Sequence, residues 1–318
     1  MIDGWIILHG GALGDLALTL QLALRLPRVG QEGRVHVVSR TDFGELSACC
    51  PSITRQCADV LGLHWLYSEN GAPRPAGLDE LIRGAHVLSA LGDARGRVHQ
   101  RLLALEPARL YSFDPRPRPN LNRHITQQWA TDLEAQGLLI PKCIHQHPGR
   151  RGLGVPNELR QRGAALLTAA GAAGRCVLIH PGSGGREKCW PWENFLAVGR
   201  ALQRAGSEVC FVLGPVELER QEAANLRAVC DNFPVLHCPP PGDLVAALTA
   251  ARALIGNDSG PAHLAALLGS PTITIFGPSS PVLWHPLGPE AVTITGDPQH
   301  HPADWNIDPI RVAAVCEA

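Results

Sequence analysis

Four loops in this 318-residue chain bring glycines together with hydroxyl, amine and carboxylate side chains, the materials of a phosphate or sugar site. Loop 9–15 (HGGALGD) has glycines that let backbone approach a ligand and expose amides at a helix start. Asp15 is there either as a first-turn carboxylate favoured by the helix dipole or as a base facing a ligand. Loop 180–191 (HPGSGGREKCWP) carries Ser183, Gly184 and Lys188, a plausible diphosphate cradle; without a closing Gly-Lys-Ser/Thr it is not a Walker loop. Lys188 is one of two lysines among 28 basic residues, and a compact ammonium is not interchangeable with a guanidinium. In loop 214–220 (GPVELER), Glu217 either accepts ribose hydroxyls or compensates a dipole. In loop 256–263 (GNDSGPAH), a capped helix start explains Ser259 and Pro261. It does not explain Asn257, Asp258 and His263 crowding the same strand end, where the amides of Ser259 and Gly260 point at an anion and Asp258 at sugar hydroxyls.

These loops need strands before them and helices after them. Apolar, β-branched runs at 5–8, 35–39, 86–90, 177–180, 209–213, 253–256 and 272–276 alternate with helical stretches including 15–26, 159–170, 192–205 and 261–268. The helix at 192–205 is expected to carry Pro191 in its first turn. Such alternation predicts an α/β fold of parallel sheets with crossover helices, with ligands outside the carboxyl ends of the strands. The polar stretch 143–157 (CIHQHPGRRGLGVPN) reads as a linker between an N-terminal domain, 1–155, and a C-terminal domain, 156–318.

Composition sets bounds on function. With 28 basic and 29 acidic side chains the formal charge is −1, which gives no global field for nucleic acid, so phosphate binding must be local. The ten cysteines include no CxxC pair and no zinc spacing. The start shows no charged-then-apolar leader, and the apolar stretch 13–26 is broken by Asp15, Gln21 and Arg25. The expected location is the cytosol, with at most peripheral contact at the cytosolic face of the inner membrane. The first-strand loop also fails the dinucleotide fingerprint: His9 stands where its first glycine belongs, and Arg40 follows the second strand in place of an acid.

The segments HPGSGGREKCWPWENF and GNDSGPAHLAALLGSPTITIFGPSSPVLWHPLGP resemble the ADP-heptose:lipopolysaccharide heptosyltransferases of glycosyltransferase family 9 over about 177–289; in the first half the likeness rests on Leu13-Gly14-Asp15. The resemblance implies a GT-B architecture: two Rossmann-like doubly wound domains facing across a cleft, with acceptor on the first and nucleotide-sugar donor on the second. It implies an inverting transfer of heptose or a related sugar, from a nucleoside-diphosphate donor taken to be ADP-linked, to a glycan, lipid-linked or other acceptor. No metal and no cofactor beyond the donor are implied. Carried over, Asp15 is the general base, Ser183 and Lys188 bind phosphate, and Glu217 lies near the ribose. Gly184, Asp258, Ser259, Gly260 and His263 belong to the donor diphosphate and sugar site, and Lys188 is catalytic with Asp15. Around Asp15 the chain departs from the family: Gly10-Gly11-Ala12 replaces a usual basic residue, and Thr19-Leu20-Gln21 a usual proline, which leaves acceptor and sugar open.

Two alternatives stand beside transfer: a nucleotide-sugar epimerase or hydrolase on the same scaffold, and a non-catalytic nucleotide-sugar-binding protein. Arg95, Arg97, Arg101, Arg109, Arg116, Arg118 and Arg123 cluster in the first half, either as a solvated surface or as a grip on an anionic glycan. His145 with His147, and His300 with His301, are expected to be incidental rather than metal-binding. Trp190, Trp192, Trp284 and Trp305 serve either core packing or stacking on a base or sugar. The tail from Asp308 forms a short helix that, by family analogy, crosses back to the first domain.

Overall fold

A computed structural model describes residues 4–29, 33–69, 71–92, 96–140, 153–172, 175–296 and 305–317. By contacts the chain forms two compact units: Met1–Asp42 with Cys50–His145, and Phe43–Cys49 with Gln146–Ala318. Most of the expected linker, with His145 and His147, lies outside the described residues, as do His300, His301 and Arg95.

The first unit is a five-stranded parallel sheet in the order β3-β2-β1-β4-β5, built from β1 (Gly4–His9), β2 (Arg34–Ser39), β3 (Ile53–Cys57), β4 (His86–Ala90) and β5 (Arg109–Ser112). Every residue of β1 is buried, because helices cover both faces of a parallel sheet. One side is packed by Leu63, Leu66, Leu78, Ile82, Val98 and Leu102 against Ile6, Leu8 and Val87. In the core, Phe113 stacks on Trp129 with ring centroids 4.8 Å apart.

The second unit holds six parallel strands in the order β11-β10-β9-β6-β7-β8: β6 (Val177–His180), β7 (Val209–Leu213), β8 (Val235–His237), β9 (Ala253–Asn257), β10 (Thr272–Phe276) and β11 (Ala291–Thr295). The helix Trp192–Arg204 lays Phe195, Val198 and Leu202 onto this sheet. Pro191, expected in its first turn, is instead its N-cap, with ψ 136°. The tail helix Pro309–Glu317 packs within the second unit: Val312 and Ala313 enter that core, and Glu317 pairs with Arg252. Trp190 and Trp305 are core residues, and Trp192 is buried with its indole donating to the Asn225 carbonyl. Among the described residues all cysteines are free, no helix is long and apolar enough to cross a membrane, and no cluster of three or more His, Cys, Asp or Glu is arranged to hold a metal ion.

In both sheets the chain order reverses beside one strand pair, β1 with β4 and β6 with β9. Loops at the carboxyl ends of such pairs diverge and leave a crevice, and loops 9–15, 180–191 and 256–263 stand there.

Candidate active site

In the second unit, β6 and β9 are neighbours, so residues 70 apart in sequence meet at their ends. Lys188 Nζ donates to Asp258 Oδ2 at 2.9 Å, and His263 Nε2 lies 3.4 Å from Asp258 Oδ1. Asp258 is nearly buried, which by itself would raise its pKa. The hydrogen bond and charge of His263, together with Lys188, outweigh that cost and hold the carboxyl down at about 2. An ammonium has three N–H donors, so Lys188 keeps two for another oxygen.

The helix Gly260–Leu268 starts at this spot. Ser259 is its N-cap, yet the hydroxyl makes no cap hydrogen bond and is buried without a partner, and His263 Nδ1 is likewise buried and unpaired. A buried polar atom left bare in a native site asks for a missing ligand or water. Together with the helix's unpaired amides and Lys188, Ser259 describes a place for an anion.

Two side chains tie the loops together. Ser183 Oγ donates to the Asp258 carbonyl at 2.7 Å, so its hydroxyl proton is engaged within the protein. Asn257, fully buried, donates to the Pro181 carbonyl at 2.7 Å and accepts from the Trp190 amide at 3.0 Å, stapling loop 180–191 onto β9. No role is read for Asn257 from sequence; the signal was an amide side chain ending an otherwise apolar strand. Gly184 is exposed in the same loop.

Beside this cluster, at the ends of β6 and β7, Glu217 is the third residue of the helix Pro215–Arg220. Its Oε2 accepts from the Gly214 amide at 2.7 Å. Capping therefore accounts for one oxygen. The carboxylate is buried, lies 3.8 Å from His180 Nε2, and borders a cavity of about 100 Å³ shared with Gly182, Ser183, Cys189 and Val216. Burial pushes the His180 imidazole down, so it stands neutral beside Glu217, which draws it upward more weakly. A Cβ at Gly182 would overlap the Glu217 carboxyl, so only glycine leaves that side chain where it is.

Asp15 repeats the arrangement in the first unit. It is the third residue of the helix Leu13–Ala23, and its Oδ2 accepts from the Ala12 amide at 3.2 Å. A Cβ on Gly11 would come within 2.7 Å of the same oxygen, and Thr41 Oγ1 holds the Gly11 carbonyl at 3.0 Å. Behind it His9, 1 % exposed, ends β1 with its Nδ1 unpaired. Burial lowers the His9 pKa to about 4, against a smaller upward pull from the Asp15 charge and backbone. An unfolded histidine titrates near 6.5, so between about 6.5 and 4 the unfolded chain binds a proton that folded His9 refuses, and stability falls as the pH drops through that window. His9→Gln is expected to reduce proton uptake on unfolding by about one over this range. The check is the slope of unfolding free energy against pH; a slope equal to the native one would place His9 in solvent.

Most of the first-half arginines are already occupied. Arg97 and Arg101 bind backbone carbonyls around Ser68, Arg101 also lying over the Trp65 ring at 4.9 Å. Arg116 pairs with Asp114 and Arg118 with Asp132, while Arg109 and Arg123 are exposed.

Comparison with known proteins agrees with this layout. The glycosyltransferase family 9 (heptosyltransferase) model matches residues 147–308, just over half of the chain. Lipopolysaccharide heptosyltransferase 3 of Escherichia coli is 32% identical over 123 residues, 38% of this chain and 36% of that protein, so the chain matches about a third of the length of its curated relative. Among solved structures, a glycosyl transferase family 9 protein from Veillonella parvula has TM-score 0.69 at 19% identity, covering 99% of this chain and 96% of that one. The Escherichia coli heptosyltransferase WaaC with ADP has TM-score 0.66 at 17% identity, covering 99% of both. The fold is α/β, with two Rossmann-like units of the GT-B type. By its family match, the chain belongs to glycosyltransferase family 9.

Proposed function

We propose that this protein is an inverting, metal-independent glycosyltransferase that moves heptose or a related sugar from an ADP-linked donor to a hydroxyl of a glycan acceptor, working in the cytosol. The observation that carries the reading is the charged cluster at the β6–β9 crevice: Lys188, Asp258 and His263 beside the bare Ser259 hydroxyl at a helix start. The second unit holds the donor. Its diphosphate lies on the amides of Ser259 and Gly260 and on the two free N–H groups of Lys188, Asp258 accepts from sugar hydroxyls, and Glu217 accepts from the ribose. Adenine is taken from the ADP of the structurally similar heptosyltransferase.

In the transfer, the Asp15 carboxylate takes the proton of the acceptor hydroxyl, whose oxygen bonds to the anomeric carbon as the bond to the diphosphate breaks on the opposite face. The departing diphosphate gains negative charge, and Lys188 with the helix amides stabilises it without reorganising. That is the service a divalent cation gives elsewhere, and it supports metal independence.

Thermal unfolding with ADP, GDP, UDP and dTDP tests the donor assignment. ADP is expected to raise the midpoint most, since a ligand at a hundred times its Kd adds roughly 2.7 kcal/mol to the stability of the native state; no shift with any of the four overturns the reading. Release of free ADP from the sugar donor only when acceptor is present separates transfer from epimerase or hydrolase activity. Gly182→Ala, which displaces Glu217, is expected to weaken ADP about ten- to a hundredfold through the lost ribose contact. An isothermal titration showing native affinity would remove Glu217 from the nucleoside site.

A further inference from the structure

The first unit contains a cavity of about 890 Å³ at the carboxyl end of its edge strand β5, two strands away from β1 and Asp15. A second cavity of about 500 Å³ shares His99 and Gln136 with it and runs back along β5 to Arg109. This volume is in the range of small-ligand sites, and it stands at the carboxyl end of a parallel strand, apart from the β1–β4 reversal.

The walls are electrically balanced. Arg116 Nε and Nη2 donate to the two oxygens of Asp114, each at 3.0 Å, and Arg118 pairs with Asp132. The formal charges of the four groups cancel. Gln136 accepts from the Ser112 amide at 2.9 Å and donates to the Ser112 and Asp132 carbonyls, each at 2.7 Å, which holds its side chain in one place. A guanidinium has five N–H groups and a carboxylate about four acceptor positions, so both pairs keep donors and acceptors in reserve, side by side. Neighbouring sugar hydroxyls, each donor and acceptor at once, match such a wall. Pro117 and Pro119 add apolar rings for the C–H face of a pyranose.

Two other occupants fit less well. An anion would meet arginines whose charge Asp114 and Asp132 already cancel, and would lie against those two carboxylates. An extended peptide would have to pair with the open edge of β5. Arg109 and Phe113 direct their amides to the β4 side, so Leu110 and Ser112 face outward, and Gln136 already covers both backbone groups of Ser112.

We propose that this cavity binds a neutral sugar residue of a glycan, a second contact region for the acceptor beyond the loop that carries Asp15. The inference rests on the reading of the acceptor as a glycan. Saturation-transfer NMR on the full chain, with mannotriose as neutral probe and glucose 6-phosphate as anionic probe, tests it. Mannotriose is expected to bind, and to bind about tenfold more weakly when Ala135→Trp fills the cavity or Asp114→Asn loosens the exposed Arg116 pair, with the ADP-induced thermal shift unchanged. Absence of mannotriose binding, binding indifferent to both variants, or preference for glucose 6-phosphate that is lost in Arg118→Ala each overturns the proposal. If ADP still shifts the midpoint, such a failure falls on the cavity alone; mannotriose binding without any ADP response fails the donor assignment and leaves the cavity standing.

Discussion

Asp15→Asn is expected to lower the turnover number for sugar transfer by about 10²–10⁴-fold, the range supplied by a positioned general base, while ADP binds as tightly as before. Asparagine is the informative replacement because the carboxylate has two tasks. Its Oδ2 accepts from the Ala12 amide at the start of Leu13–Ala23, and an amide oxygen can accept that hydrogen bond equally. Alanine would remove cap and base together, costing about 1 kcal/mol of helix stability in addition to any catalytic loss. With asparagine, only the ability to take a proton disappears. Steady-state transfer kinetics and the ADP thermal shift, measured on the same preparation, decide the matter. A turnover within threefold of native would leave Asp15 with its capping task alone and would favour a protein that binds nucleotide sugar without turning it over. A loss of ADP affinity in parallel would place Asp15 on the donor and not the acceptor.

The sequence was most legible where burial is two-sided. The strands at 5–8, 86–90, 177–180, 209–213 and 272–276 are predominantly apolar and almost wholly buried because helices cover both faces, and each is found within a residue of its expected bounds. The four strands absent from the sequence reading are β3, β5, β8 and β11, and they are the four edge strands of the two sheets. Their segments, ITRQC, RLYS, VLH and AVTIT, are short and partly exposed, so neither a continuous apolar run nor a clean alternation marks them. The site followed the same division. Which loops carry it could be read from glycines and polar residues after buried strands. That Lys188 lands on Asp258, that Asn257 staples loop 180–191, and that His9 and His180 are buried neutral could not, because each depends on strand adjacency and on packing between distant segments. The arginine cluster is a case that sequence leaves open. Local charge allows either a solvated surface or a grip on an anion; in the fold Asp114 and Asp132 pair with two of its members, the second through a contact between residues 14 apart that a local count does not include.

Lys188→Met is expected to lower turnover by about 10²–10³-fold, the effect of removing one preorganised donor from developing negative charge, and to weaken ADP at the same time. Methionine keeps the length of the side chain and removes its charge. The same change acts on the fold through Asp258. In the native protein that carboxyl titrates at about 2 against 3.8 for an ordinary aspartate, so it contributes stability that is fully present above about pH 4 and lost as the pH falls toward 2. Without the ammonium, His263 alone faces the buried carboxylate, its pKa rises, and acid unfolding begins at a higher pH than in the native protein. Lys188→Met/Asp258→Asn removes the stranded charge and is expected to recover the acid stability without recovering transfer. Lys188→Arg tests the geometry: the guanidinium keeps the charge but replaces a compact point of three donors by a planar fork, so acid stability should return more completely than turnover. In a chain with 28 basic residues and two lysines, full turnover with arginine at this position would show that any cation suffices there, and native kinetics in Lys188→Met would remove Lys188 from the mechanism altogether.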